Sequence, residues 1–154
     1  QQIAYVEIDS IMSQYTYWKE VTKIMKAKEA NISKTLNGKQ QQLQQAAANF
    51  QQNVQANKYT QAQAQQIQAS IQKQAQDAEA LQQRLGAEYQ NEVAKYNKAL
   101  ADSVHNYLAQ FNKDKKYAMI LAKSGDNILY ADKSLDITNE VVKGMNKAYK
   151  GMKK

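Results

Sequence analysis

The chain has 154 residues and neither cysteine nor proline, which excludes disulfides, thiol chemistry and the common cysteine-based zinc sites. No apolar run is long enough to cross a bilayer as a helix. The net charge is +7 but Arg84 is the single arginine, so no nucleic-acid partner is predicted, and weak contact with an anionic lipid or membrane surface is expected.

The first segment has the alternation of a β-strand. One face would carry Ala4, Val6 and Ile8, and the other Ile3, Tyr5 and Glu7. Asp9 or Ser10 follows, and either side chain can accept a hydrogen bond from the free backbone N–H groups of a helix. We therefore predict a strand in residues 1–9, followed at once by a helix. A strand directly after Gln1 and Gln2 is compatible with a mature chain whose export signal has been removed.

Two long apolar seams follow, with residues spaced three, four or seven apart as on one side of a helix. The first seam comprises Trp18, Val21, Met25, Ile32, Leu36, Leu43, Phe50 and Val54. The second comprises Ile67, Ile71, Ala75, Ala78, Leu81, Leu85, Tyr89, Val93, Tyr96, Leu100, Val104, Leu108 and Phe111. Between them, Thr60 and Gln63 have the spacing of a capping box. Because the seams must bury each other, residues 10–116 are predicted to form an antiparallel helical hairpin with its tip near residues 57–60.

The far half of this hairpin is rich in glutamine. Residues 40–76 contain sixteen glutamines, several alanines and only two charged residues, Lys58 and Lys73. On composition alone, such a segment is equally typical of a coiled coil that serves only as a spacer.

After Phe111 the pattern returns to strands. Residues 117–123 and 128–131 are apolar runs separated by turn-forming residues at 124–127, which predicts a β-hairpin. Asp136 then precedes a segment with one apolar side, so it is predicted to cap a last helix.

These elements define an α+β fold. A long antiparallel coiled-coil helical hairpin, residues 10–116, is inserted into a small β body made of residues 1–9 and 117–154, which includes the C-terminal helix. Three short strands and one helix bury little apolar surface, and a three-stranded sheet leaves two unpaired edges. We therefore expect copies of the chain to associate through the body.

Three segments carry a resemblance to a known family: residues 3–9, IAYVEID, residues 119–131, MILAKSGDNILYA, and residues 135–142, LDITNEVV. With them the chain resembles the Skp/OmpH-like periplasmic outer-membrane-protein chaperones over nearly its whole length. The resemblance implies a homotrimer in which the β elements form a central body and three helical arms enclose a cavity like tentacles. It also implies a periplasmic protein that holds unfolded outer-membrane β-barrel proteins without ATP or another cofactor.

The sequence gives no sign of an enzyme. His105 is the only histidine, and its place beside the seam residue Val104 favours a packing role over catalysis or metal binding. A structural coiled-coil adaptor or spacer of the cell envelope is the alternative to a chaperone. A prefoldin-like holdase is less compatible, because such chains place β-hairpins between their helices, whereas here the strands flank the helices.

Two groups of apolar residues are candidates for function. The residues predicted to bind clients near the tip of the hairpin are Phe50, Val54, Tyr59, Ile67 and Ile71. The residues predicted to form the trimer body are Val6, Ile8, Met119, Leu121, Ile128 and Tyr130. A third group, Tyr15, Tyr17 and Trp18, is interpreted as part of the core where hairpin and body join, and not as an exposed aromatic patch.

Overall fold

The computed structural model describes residues 2–152, so Gln1, Lys153 and Lys154 of the predicted β body lie outside the described residues. Within this range the elements are β1 (Gln2–Glu7), α1 (Ile8–Gln14), α2 (Thr16–Gln55), α3 (Gln61–Phe111), β2 (Tyr117–Lys123), a 3₁₀ helix (Lys133–Leu135) and α4 (Thr138–Ala148). The predicted α+β class is confirmed, because two long helices follow each other between two short paired strands.

β1 and β2 form a parallel pair, with Tyr5 opposite Leu121 and Val6 opposite Ala122. A tight turn cannot join parallel strands, because the chain must return to the starting end of the sheet before the second strand begins. The long helices supply that return. The other edge of β1 is partly covered by the chain that precedes α4, since the Ile137 N–H donates to the Tyr5 carbonyl at 3.0 Å.

The predicted β-hairpin is wrong in its second half, because no strand forms at residues 128–131. The turn after β2 is closed by Asn127 instead. Its side-chain amide donates to the Ala122 carbonyl at 2.7 Å and accepts from the Ser124 N–H at 2.9 Å. One side chain therefore bonds backbone groups that a returning strand would have used. β2 pairs with β1, and its other edge has no strand partner in the described chain.

The predicted continuous first helix is wrong at Tyr15, where α1 ends and α2 begins. Tyr15 has an extended backbone, with ψ of 121°, and its side chain is buried. The break releases backbone groups from helical bonding, and Asn146 of α4 bonds on both sides of it. Its amide accepts from the Thr16 N–H at 2.8 Å and donates to the Gln14 carbonyl at 3.0 Å. A residue distant in sequence therefore stabilises the junction.

Two predicted helix starts have opposite outcomes. Asp9 and Ser10 are not N-caps, because α1 begins at Ile8 and no side chain caps it. The capping box at the start of α3 is confirmed. The Thr60 N–H donates to the Gln63 side-chain carbonyl at 3.0 Å, and the Gln63 N–H donates to the Thr60 hydroxyl oxygen at 3.1 Å. Both otherwise free N–H groups are thereby satisfied.

Asp136 acts at the start of α4, although Ile137 and not Asp136 occupies the N-cap position. The Asp136 carboxylate accepts from the Thr138 N–H at 2.9 Å. The Thr138 hydroxyl oxygen in turn accepts from the Glu7 N–H at 2.8 Å. These bonds connect the first residue of α4 to the end of β1, so they also fix the helix against the sheet.

The chain divides into two units, and the first comprises the segment up to Met25 together with the segment from Ala94 onward. Its core is a cluster of buried residues: Ala4, Val6, Ile11, Tyr15, Ile137, Val141, Val142 and Met145. These residues come from β1, α1, α4 and the segments beside them. The strand pair and the last helix are therefore held by burial of a shared apolar surface.

The second unit, Lys26–Val93, is an antiparallel helical pair that we call the arm. Lys28 and Glu92 form an ion pair between its two helices, and residues 56–60 connect them at the opposite end. None of the arm residues is fully buried, so each apolar contact there removes less surface from water than a contact in the first unit. The unit boundaries fall inside α2 and α3, whereas the sequence-based domain boundaries were placed at helix ends.

A glycine of α4 is required by an aromatic ring of α3. A methyl group at Gly144 would lie 1.6 Å from the Tyr107 hydroxyl oxygen and 2.5 Å from its Cζ. Tyr107 packs against the buried cluster and stacks with Phe111 at 6.0 Å between ring centroids, so its displacement would lose these contacts. A methyl group at Gly38 or Gly86 would meet nothing within 4 Å.

Gly144→Ala should therefore lower the free energy of unfolding by about 1–3 kcal/mol, the usual cost of overpacking. Gly86→Ala is the matched control, since the same change in open space should raise it by about 0.5–1 kcal/mol through the better helix propensity of alanine. Urea unfolding can be followed by Trp18 fluorescence, which reports the first unit, and by far-UV circular dichroism. Similar effects of the two variants would show that Tyr107 does not constrain Gly144.

Candidate functional site

Apolar side chains remain exposed on β2 and in the segment that follows it. The exposed fractions are 52% for Met119, 38% for Leu121, 93% for Leu129 and 86% for Tyr130. We call these four residues the β2 surface. Because one edge of β2 has no strand partner in the described chain, this region offers both backbone groups and apolar side chains to another polypeptide.

The residues predicted for the trimer body lie in different environments. Three of them belong to the β2 surface: Met119, Leu121 and Tyr130. Ile128 is half-buried. Val6 is buried in the core of its own chain, and Ile8 packs against that core, so neither contributes to the β2 surface. Leu129 was not predicted from the sequence, although its position in the apolar run at residues 128–131 could have indicated it.

An apolar groove of about 250 Å³ lies in the first unit, between α1, α3 and β2. Its lining includes Ile8, Ile11, Met12, Leu100, Val104, His105, Leu108, Ile120 and Leu121. His105 is the single titratable residue of this lining, so no acid or base partner accompanies it there. The groove was missed from the sequence, although the four-residue spacing of the α3 residues indicates an apolar stripe.

Three tyrosines cluster at the start of α2. The rings of Tyr15, Tyr17 and Tyr149 are 5.7 to 6.0 Å apart, and the Tyr149 hydroxyl donates to a Glu20 carboxylate oxygen at 2.5 Å. Burial, followed by this carboxylate, raises the pKa of Tyr149 far above its ordinary value, and burial also raises the pKa of Tyr15 and Tyr17. The cluster therefore stays neutral and serves packing. Tyr17 and Trp18 pack against the buried cluster that includes Tyr15, which confirms their interpretation as core.

The structure brings together two of the predicted client-binding residues at the tip of the arm. Phe50 and Tyr59 stack with 6.2 Å between ring centroids and 18° between planes. The Asn53 side-chain amide donates to the Tyr59 hydroxyl oxygen at 2.8 Å. Val54 is 43% exposed on the same helix as Phe50. The tip therefore presents apolar side chains that its own fold only partly covers.

Ile67 and Ile71, the other two predicted client-binding residues, are half-buried on α3. Ile71 lines a groove of about 740 Å³ in the arm, which we call the arm groove. Its apolar lining consists of Leu36, Leu43, Ala47, Ile71, Ala75 and Ala78. Its polar lining consists of Ser33, Asn37, Lys39, Gln40, Gln44, Glu79 and Gln82.

The arm groove was not predicted from the sequence. Its signal is the occurrence of alanine at positions of the two seams, where a larger side chain would fill the space between the helices. Ala75 and Ala78 were included in the second seam as contacts, and they leave an opening next to Leu43. A second groove of about 490 Å³ shares Leu43, Ala78 and Lys39 with the arm groove.

Some of the charged side chains of the arm form ion pairs within it. Lys73 and Asp77 are 3.0 Å apart, and Arg84 and Glu88 are 3.5 Å apart, each pair one helical turn apart on α3. All four side chains are exposed, so the pairs add little stability. They do reduce the field that the arm presents to a charged partner.

Residues 2–152 contain no group of three or more His, Cys, Asp or Glu side chains that could hold a metal ion. No helix in this range is long and apolar enough to cross a membrane. One shifted carboxyl, Asp132, has its pKa lowered by the Ser134 N–H, which donates to it at 2.9 Å and closes the 3₁₀ helix.

Comparisons with known proteins give a family and a shared fold. The chain matches the family described as outer membrane protein (OmpH-like) over residues 2–145. The chain is similar in structure to a protein from Caulobacter crescentus CB15 whose crystal structure is described as that of an OmpH-like outer membrane chaperone. The two structures superimpose with a TM-score of 0.79 at 16% sequence identity. The alignment covers 99% of this chain and 88% of that chain. At this identity the likeness shows the fold. No curated protein matches the sequence.

Proposed function

Because the chain belongs to the OmpH-like outer membrane protein family, we propose that it is a periplasmic holdase for unfolded outer-membrane β-barrel proteins. It binds these clients without ATP, in a cavity between helical arms, and prevents their aggregation during transit. The family match and the fold shared with an OmpH-like outer membrane chaperone support a chaperone role.

The observation that supports holding most directly is the incomplete burial of the arm. Phe50, Tyr59, Ile67 and Ile71 are half-buried and Val54 is exposed, although all five are apolar or aromatic. Such side chains can contact apolar segments of many unfolded proteins without a deep, shape-specific pocket. Each contact is weak, and several arms acting on one client add their contacts by multivalency.

Assembly is needed to form a cavity between arms, and the β2 surface is the proposed contact between copies. One edge of β2 has no strand partner in the described chain, and Leu129 and Tyr130 are almost fully exposed. Association of copies would cover both the strand edge and these side chains. We propose three copies, as the family resemblance implies.

The second candidate is a structural coiled-coil adaptor or spacer of the cell envelope. The sixteen glutamines of residues 40–76, all exposed, favour it, because a spacer needs a polar surface and length. It does not explain why Val54 is exposed and Phe50 is half-exposed near the tip. We therefore prefer the holdase.

The net charge of +7 further supports weak contact with an anionic lipid or membrane surface.

Removal of residues 40–76, with a short turn joining α2 to α3, should abolish most of the protein's ability to suppress client aggregation. The oligomer should remain intact. The deleted segment includes the apolar tip but no residue of β1, β2 or α4. Aggregation of a urea-diluted outer-membrane β-barrel protein, followed by light scattering, measures holding. If the parent fails to suppress aggregation at several-fold molar excess, the adaptor is the better account; if the shortened chain suppresses it equally, the arm is not the holding surface.

Leu129→Asp should dissociate the assembly, because a carboxylate buried in an interface without a partner costs several kcal/mol. Leu129 is 93% exposed in the single chain, so the substitution should not unfold it. Val54→Asp on the arm is the matched control and should keep the mass of the parent. Light scattering coupled to gel filtration measures both masses. A parent that is monomeric, or a Leu129→Asp variant with unchanged mass, contradicts the proposed interface.

A further inference from the structure

The glutamines of the arm are hardly used within the chain. All sixteen glutamines of residues 40–76 are exposed, and among them only Gln63 and Gln74 make a side-chain hydrogen bond within the described residues. A glutamine side chain carries two N–H donors and a carbonyl acceptor. The arm therefore presents many neutral donors and acceptors that its own fold does not occupy.

Neutral amides and apolar side chains meet in the arm groove. Gln40 and Gln44 line it from α2 and Gln82 lines it from α3, while Leu43 and Ala78 contribute to its apolar lining. The three glutamine side chains make no hydrogen bond within the described chain. A peptide lying in the groove can bury apolar side chains and at the same time have its backbone within reach of amides.

The dimensions of the arm groove suit an extended chain. Its α2 lining runs from Ser33 to Ala47, which corresponds to about 21 Å at the rise of an α-helix. An extended polypeptide covers that length with about six residues. A segment of this size is a little over half of one strand of an outer-membrane β-barrel, which has about ten residues that alternate between apolar and polar.

The arm groove carries no net charge. Lys39 and Glu79 are its charged lining residues, one of each sign. Nearby, the Lys73–Asp77 ion pair neutralises two more charges. A charged segment would therefore be neither strongly attracted nor strongly repelled, so electrostatic attraction is a poor account of capture at this position.

Building on the proposed holdase function, we propose that the arm groove binds extended segments of unfolded outer-membrane proteins through their backbone. Gln40, Gln44 and Gln82 exchange hydrogen bonds with client peptide N–H and C=O groups, while Leu43 and Ala78 receive client apolar side chains. Since every polypeptide has the same backbone, this mode of capture does not depend on client charge. The individual bonds are weak in water, and several grooves act on one client together.

The test compares the full-length parent with two triple variants in their assembled state. The groove variant carries Gln40→Met, Gln44→Met and Gln82→Met, because methionine has a similar length and helix propensity but no amide. The control variant carries Gln51→Met and Gln65→Met with Gln72→Met, at exposed positions that do not line the groove. Fluorescence anisotropy of a labelled outer-membrane β-barrel protein, diluted from urea, gives Kd in about 50 mM and about 500 mM NaCl, across a large change in screening.

We expect the parent Kd to change less than about twofold between the two salt concentrations. The groove variant should bind about fivefold or more weakly, and the control variant as tightly as the parent or more tightly. A parent Kd that rises about tenfold or more with salt, or a groove variant that binds as tightly as the control, overturns backbone capture and leaves the holdase function standing. A parent that binds the client at neither salt concentration contradicts the holdase function itself.

Discussion

The pairing of β1 with β2 is the interaction on which the rest of the structure depends. The strands are parallel and distant in sequence, so the chain between them must leave the sheet and return to its starting end. Helices α2 and α3 make this excursion and return. The arm, Lys26–Val93, is a separate unit that contains neither strand. The length of the helical pair can therefore change at its tip without altering the strand pairing, which is compatible with the proposed placement of assembly and client holding in different parts of the chain.

Burial is distributed unevenly between the two units, and the proposed function follows from this difference. Every fully buried residue of the described chain belongs to the first unit. In this unit the Tyr5 carbonyl and the Asn146 side chain also form hydrogen bonds to segments that are distant in sequence. The arm has no fully buried residue, so its helices are stabilised by a thin shared seam. Few buried contacts mean low local stability. An arm with partly exposed apolar groups and unbonded amides suits the proposed holding of clients that differ in sequence and size.

The sequence was informative where structure is determined locally. The reciprocal bonds of Thr60 and Gln63 involve residues three apart, and the apolar spacing of the two seams reveals their helices without knowledge of the partner. The sequence was misleading where contacts between residues distant in sequence determine the local structure. Asn146 of α4 bonds both sides of the break at Tyr15, and β1, the strand partner of β2, is distant in sequence. At residues 128–131, where the sequence predicted a strand, Asn127 instead bonds the backbone of Ala122 and Ser124. The arm groove was overlooked because small seam residues were counted as contacts and not as gaps.

Hydrogen exchange measured by mass spectrometry tests the central claim most directly, since it reports local stability along the whole chain. The claim is that strand pairing and the core of the first unit hold the molecule together while the arm is only marginally stable. Amides of β1, β2 and α4 should therefore exchange slowest, and those of residues 40–76 fastest, with a maximum around Tyr59. Protection of residues 40–76 equal to or greater than that of β2 would contradict the account.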